Sequence, residues 1–244
     1  MPPYARLKQL SGQDDSAIDY QSLPVAVHNE LVQPLLALQA KAVERGFEIS
    51  VASAYRDFDR QLLIWNDKAS GRRPVLDSHG QRLDLSVLTP WQQVQAILRW
   101  SALPGASRHH WGTDIDIYDR AAVADDYKLQ LSTDEVQEGG PFAAMHDWLD
   151  GHLSSSVPQV FFRPYENDRG GVAPERWHLS YAPVACQYQA ELSVAGLMAV
   201  IEDKPLALKD TVLAHLDEIY QRFILVPARC YPAQYGHLLM DLNQ

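Results

Sequence analysis

The chain has 244 residues, 46% of them hydrophobic and 21% charged, with a formal net charge of −10. That apolar content suffices for a substantial core and excludes a disordered chain. No Lys/Arg run or basic patch offers a footprint for nucleic acid, and no apolar run approaches the roughly 20 residues a membrane-spanning helix needs. The first residues, Met1-Pro-Pro-Tyr-Ala-Arg, carry no signal-peptide apolar region and no lipobox cysteine. The two cysteines, Cys186 and Cys230, fit a reducing compartment and need no disulfide. A cytoplasmic location is therefore expected, or a periplasmic one if a signal peptide has been removed.

Along the chain, residues 25–45 carry an apolar stripe of Leu31, Val32, Leu35, Leu36, Leu38 and Val43, which predicts a helix. Pro34 kinks or starts it, and Gly46 stops it. A strand is expected over 47–54 and a helix over 58–69. Residues 70–88, with Gly71, Pro74, Asp77 and Gly80, read as an irregular or hairpin insertion beside the site. Thr89 caps a helix opened by Pro90 and running to about Ser101. Pro104-Gly105 then turns the chain.

The run Thr113-Asp-Ile-Asp-Ile-Tyr118 alternates polar and apolar residues, a strand signal that puts Asp114 and Asp116 on one face and Ile115 and Ile117 toward the core. A helix from Pro141 to His152, a strand near Val160–Phe162, a turn at Asp168–Gly171 and a strand over Trp177–Tyr181 follow. The last predicted helix runs from Leu206 to Ile224 with Asp210 as its N-cap. These elements predict one α+β domain: a small, mostly antiparallel sheet flanked by helices. Its core covers about residues 45–185, and a helical extension over 186–244 packs on it, covers a cleft or pairs subunits. The oligomeric state is left open.

His109 and Asp116 are seven residues apart, with Gly112 between them where the chain can bend. His178 arrives on a second strand. Two imidazoles and one carboxylate, with water as the fourth ligand, make a catalytic rather than a structural zinc site. One zinc ion is expected, on His109, Asp116 and His178. Glu175 sits three residues before His178, within reach of the water but outside the ligand set, as a general base must be. His28, His79, His146, His152, His215 and His237 are expected to be surface or satisfied core residues.

Three motifs in order, Ser53-Ala-Tyr-Arg56, Ser107-Arg-His109-His-Trp-Gly112-Thr-Asp114-Ile-Asp116 and Glu175-Arg-Trp-His178, resemble the VanY-like D-alanyl-D-alanine carboxypeptidases, zinc peptidases of the LAS group. The resemblance covers about residues 45–185. It implies that Arg56 stabilises the oxyanion, that Ser107 binds the terminal carboxylate of the substrate and that Gln61 faces the substrate cleft. Trp177 is expected to pack under the site. Two departures stand out. Asp114 replaces a small or apolar residue and is expected to orient a ligand histidine or to touch substrate, the alternative being a solvated strand residue. His110 adjoins the expected ligand His109.

The resemblance also implies the substrate, a peptidoglycan-derived peptide that loses its C-terminal D-alanine. A cytoplasmic enzyme would meet recycled tetrapeptides, whose terminal bond is of the L,D type, so L,D-carboxypeptidase action in cell-wall recycling is expected. The alternatives are D,D-carboxypeptidase action on pentapeptides, an endopeptidase cutting inside the stem peptide, and a non-catalytic zinc-containing binding domain.

Overall fold

The structure is a computed structural model and describes residues 3–78 and 80–239, so His79 lies outside it. The chain opens with helix α1 (Pro3–Leu10) and a short hairpin of β1 (Ile18–Asp19) and β2 (Val27–His28). Helix α2 (Val32–Val43), strand β3 (Ile49–Ser53) and helices α3 (Phe58–Ala69) and α4 (Pro90–Leu98) follow. Strand β4 (Asp114–Asp119) leads to α5 (Thr133–Val136), α6 (Ala143–Ser155), β5 (Phe161–Phe162) and β6 (His178–Tyr181). The C-terminal part is helical: α7 (Ala182–Glu191), α8 (Val194–Ile201), α9 (Lys209–Ala214), α10 (Leu216–Ile219) and α11 (Ala233–Gly236).

The main sheet is antiparallel throughout, in the order β3-β4-β6-β5. Its two-residue period sorts side chains cleanly. Ile115, Ile117 and Leu179 point to one face and are fully buried against Leu35 and Leu38 of α2 and Met145 and Leu149 of α6. Burying each such side chain contributes about 1.5–3 kcal/mol. The opposite face presents Asp114, Asp116, His178 and Ser180, because Asp114 pairs with Ser180 and Asp116 with His178 across the strands. A polar row in mid-sheet is costly to bury without partners, and these partners make up the candidate site.

Local signals account for the helices beside that face. Asp57 caps α3 by accepting from Arg60 N–H at 2.7 Å. Thr89 and Gln92 form a capping box at the start of α4, with Pro90 in its first turn. Gly46 adopts φ 85° just beyond α2. A large apolar cluster joins Phe58 and Trp65 of α3, Val94 and Ile97 of α4 and the C-terminal helices through Leu197, Val212, Leu216 and Ile219. The segment beyond residue 185 therefore shares a core with the helices beside the site.

Two predicted helices differ from those observed. The first begins at Val32 rather than near residue 25, because Val27 and His28 pair with β1 instead. The stretch 206–224 is broken rather than continuous. Leu208, not Asp210, precedes α9, in a left-handed conformation at φ 60°, and Asp210 lies inside the first turn. At His215 the backbone leaves helical geometry and the ring stacks on Trp91 with centroids 4.0 Å apart. The apolar stripe is still buried, at Val212, Leu216, Ile219, Tyr220 and Phe223. No single described helix is long and apolar enough to cross a membrane.

Candidate metal centre

His109 lies on a tight helical turn, Arg108–Trp111, that enters β4 through Gly112. Gly112 has φ 65°, and a Cβ there would fall 2.6 Å from the backbone nitrogen of His28. Glycine is thus required both by conformation and by the close approach of β2. The backbone N–H of Arg56 donates to the His109 carbonyl at 3.1 Å, which fixes the turn against the segment after β3.

The two histidines are oriented by opposite ring nitrogens. His109 Nδ1 donates to the Ala54 carbonyl at 2.9 Å, leaving Nε2 free. His178 Nε2 faces Asp114 Oδ1 at 2.9 Å, leaving Nδ1 free. Both free nitrogens meet Asp116: His109 Nε2 lies 3.4 Å from Oδ2, and His178 Nδ1 lies 3.2 Å from Oδ1. Ligands bonded to one tetrahedral ion at roughly 2.0–2.2 Å stand about 3.3–3.6 Å apart. Asp116 Oδ1 is buried and has no hydrogen-bond partner. An orphaned buried carboxylate oxygen between two imidazole lone pairs is what a cation would satisfy. Among the described residues, His109, Asp116 and His178 are the one group whose ligand atoms fit around a single ion, within 4.8 Å of one another. Burial pushes the pKa of His109 down to about 4, which keeps the ring neutral, as a ligand must be. The donor set fits zinc.

Behind His178 lies an ion pair sealed from water. Asp114 Oδ1 accepts from Arg108 Nε at 2.8 Å, and Oδ2 accepts from the Thr113 hydroxyl at 2.7 Å. Burial opposes ionisation of Asp114, but the Arg108 guanidinium and His178 outweigh it and hold the carboxyl well below the usual range. Arg108 also donates to Ser180 Oγ at 2.8 Å, Tyr231 Oη at 3.0 Å and Gln189 Oε1 at 3.2 Å. The carboxylate that departs from the motif thus touches a histidine of the cluster, and its counter-ion is held by the C-terminal segment.

In front of the cluster opens a cleft of about 450 Å³, to which Arg56, Ser107, Glu175 and Trp177 contribute. Glu175 Oε2 lies 3.5 Å from His178 Nδ1, on the open side. Its N–H donates to the Tyr165 carbonyl and its carbonyl accepts from His178 N–H, a turn that aims the side chain inward. Burial pushes the Glu175 carboxyl above its ordinary range. Arg56 donates to Gln61 Oε1 at 2.8 Å and to Ser53 Oγ at 3.0 Å. Ser107 precedes the histidine turn without capping it, so its hydroxyl stays available to the cleft. Trp177 packs against Val136 and Phe142.

Gln61 differs from expectation. It is fully buried, with Oε1 on Arg56 and Nε2 donating to the Ala102 carbonyl at 2.7 Å. Both ends of its amide are occupied, so it stands behind Arg56 and does not face the cleft. His110, beside the ligand histidine, has a different job. Nδ1 donates to the Arg56 carbonyl at 2.6 Å and Nε2 accepts from Gly105 N–H at 3.1 Å. Burial lowers its pKa to about 3, so the neutral ring joins the Arg56 loop to the turn before Ser107. Sequence reading missed this contact and Tyr165, whose ring stands edge-on to His178 at 5.0 Å. The adjacent histidine pair was a signal for the first, and nothing local signals the second.

Comparison with known proteins gives this geometry a family. The model of the VanY D-alanyl-D-alanine carboxypeptidases matches residues 24–184. The chain belongs to this family. Two uncharacterised Haemophilus influenzae proteins are related to this VanY-family chain. One is 52% identical over 77 residues, which are 32% of this chain and 53% of the relative. The matched stretch thus spans about half the length of that relative. The other is 30% identical over 126 residues, 50% of this chain and 93% of the relative. Among solved structures, the chain is similar to VanYB in complex with D-alanine-D-alanine, at 21% identity and TM-score 0.48, covering 82% of this chain and 90% of that one. It is also similar to the LD-carboxypeptidase LdcB, at 22% identity and TM-score 0.45, covering 76% and 67%.

Proposed function

We propose that this VanY-family chain is a zinc-dependent carboxypeptidase that releases the C-terminal D-alanine from peptidoglycan stem peptides. We further propose that it prefers the L,D bond of tetrapeptides. The observation that carries the first part is the buried His109–Asp116–His178 cluster, with its free nitrogens converging on an unpartnered carboxylate oxygen and Glu175 beside it. When bound, zinc would supply Lewis acidity at the scissile carbonyl and lower the pKa of a water toward about 7.

The chain's own residues do the rest. Glu175 takes a proton from the attacking water and returns it to the leaving amine; a carboxyl whose pKa is raised by burial is suited to both halves of that exchange. Arg56, held by Gln61 and Ser53, turns its guanidinium toward the developing oxyanion. Ser107 donates to the terminal carboxylate. Asp114 fixes the ring of His178 so that Nδ1 faces the ion. The preference for the L,D bond goes together with a proposed cytoplasmic location, where recycled tetrapeptides end in that bond.

The test is incubation of the zinc-loaded protein with tetrapeptide and pentapeptide muropeptides in parallel, with products identified by mass spectrometry. Loss of one alanine from the tetrapeptide is the expected result. Loss from the pentapeptide alone would establish D,D action and remove the L,D preference. Cleavage of neither would overturn the carboxypeptidase reading.

A further inference from the structure

Beyond the motif residues, the cleft holds a cation that the reaction does not use. Gln61, Ile64 and Lys68 stand at i, i+3 and i+7 of α3 and therefore share one helical face. Gln61 lies behind Arg56, while Ile64 and Lys68 line the cleft. Lys68 is half-buried, and its side-chain ammonium makes no hydrogen bond or ion pair with any described residue. Its neighbours are committed: Arg56 to Gln61 and Ser53, Arg73 to Asp67 at 3.3 Å, and Arg108 to Asp114. Glu175 attracts Lys68 across the cleft but does not pair with it.

A partly desolvated ammonium without a partner is costly, and a ligand that neutralises it recovers that cost. Arg56, Lys68 and Arg73 together give the cleft a positive rim in a chain whose net charge is −10. Such a concave, one-sign cluster focuses its field on an anion. Burial first, then the two arginines, lower the pKa of Lys68 to about 8, so most of it carries its charge at neutral pH.

We propose that Lys68, flanked by Arg73, forms a subsite that binds a carboxylate of the peptide substrate. The subsite takes one of the two carboxylates beside the scissile bond: the terminal carboxylate of the leaving D-alanine or the side-chain carboxylate of the residue before that bond. The inference rests on the peptidase reading of the same cleft.

The test is steady-state kinetics of the zinc-loaded wild type, Lys68→Met and Lys68→Arg on three tetrapeptides: unmodified, amidated at the C-terminus, and amidated at the side chain of the third residue. On the unmodified peptide, Lys68→Met is expected to raise KM about tenfold, with kcat within about threefold and zinc content unchanged. Lys68→Arg is expected to recover most of the loss. On one of the amidated peptides the wild type loses the same factor and Lys68→Met loses nothing further, which identifies the carboxylate. An unchanged KM in Lys68→Met overturns the subsite, as does a Lys68 dependence that survives both amidations. If the wild type releases no alanine, the peptidase reading fails by itself. Calorimetric titration of unmodified tetrapeptide into zinc-loaded wild type and Lys68→Met then decides the subsite, which equal affinities would overturn.

Discussion

On the sheet side of the cleft, β4 and β6 set Asp116 opposite His178, and each ring is held from behind, His109 by a backbone carbonyl and His178 by a carboxylate with its own buried counter-ion. On the α3 side, Lys68 makes no such bond and Arg73 is 40% exposed, on an insertion with little regular structure. The difference follows from what each wall must recognise. An ion tolerates errors of a few tenths of an ångström in its ligands, so strand register and buried pairs supply that wall. A flexible peptide carboxylate can be met by a long ammonium side chain that adjusts to it.

The sharpest break in the comparison is Glu175→Gln. Glu175 lies at the boundary, beside the ligands without being one. The variant is expected to lose about 10²–10⁴-fold in kcat while retaining one zinc per chain, measured by turnover and elemental analysis. Loss of the ion would make Glu175 part of the metal wall.

Asp114→Asn tests that wall itself. It leaves Arg108 buried without its counter-ion, so stability should fall by about 3–5 kcal/mol in urea unfolding. Zinc affinity by chelator competition should fall about 10–100-fold. The double variant Arg108→Met/Asp114→Ala removes both charges and is expected to regain most of the stability but not the affinity. Full recovery of affinity would mean that Asp114 does not orient His178.

The smallest effect concerns the support behind Gly112. Burial lowers the pKa of His28 to about 4, against about 6.5 in the unfolded chain, and its Nδ1 accepts from Glu30 N–H. The neutral ring is therefore favoured by folding. Its contribution is complete above about pH 6.5 and is lost as pH falls toward about 4, because the unfolded state takes up the proton first. His28→Asn keeps a capping acceptor without titrating. Its urea midpoint should drop less than that of the wild type between about pH 7.5 and about pH 5. Equal drops would place the acid sensitivity elsewhere.

Much of the sheet wall is legible in the sequence. The alternation over Thr113–Tyr118 assigned Ile115 and Ile117 to one face and both aspartates to the other, as observed. Thr89 as cap and Pro90 as opener place α4 to within a few residues. The failures have physical causes. The hairpin of β1 and β2 is two residues per strand, too short for a period to show. The break at His215 comes from stacking on Trp91, more than a hundred residues away in sequence. The family resemblance puts Gln61 at the cleft, but both amide ends are consumed by Arg56 and Ala102, partners set by tertiary packing. The adjacent pair His109-His110 marks both rings, but only tertiary packing decides that one faces the metal cluster and the other the Arg56 loop.

The network around Arg108 has a consequence for the order in which the molecule is finished. Its hydrogen bond to Tyr231 spans 123 positions and that to Gln189 spans 81. Synthesis delivers the motif turn well before Tyr231. The pocket that seals Asp114 thus cannot close until Tyr231 has left the ribosome. Until then the nascent chain carries His109 and Asp116 without the complete enclosure around their neighbours.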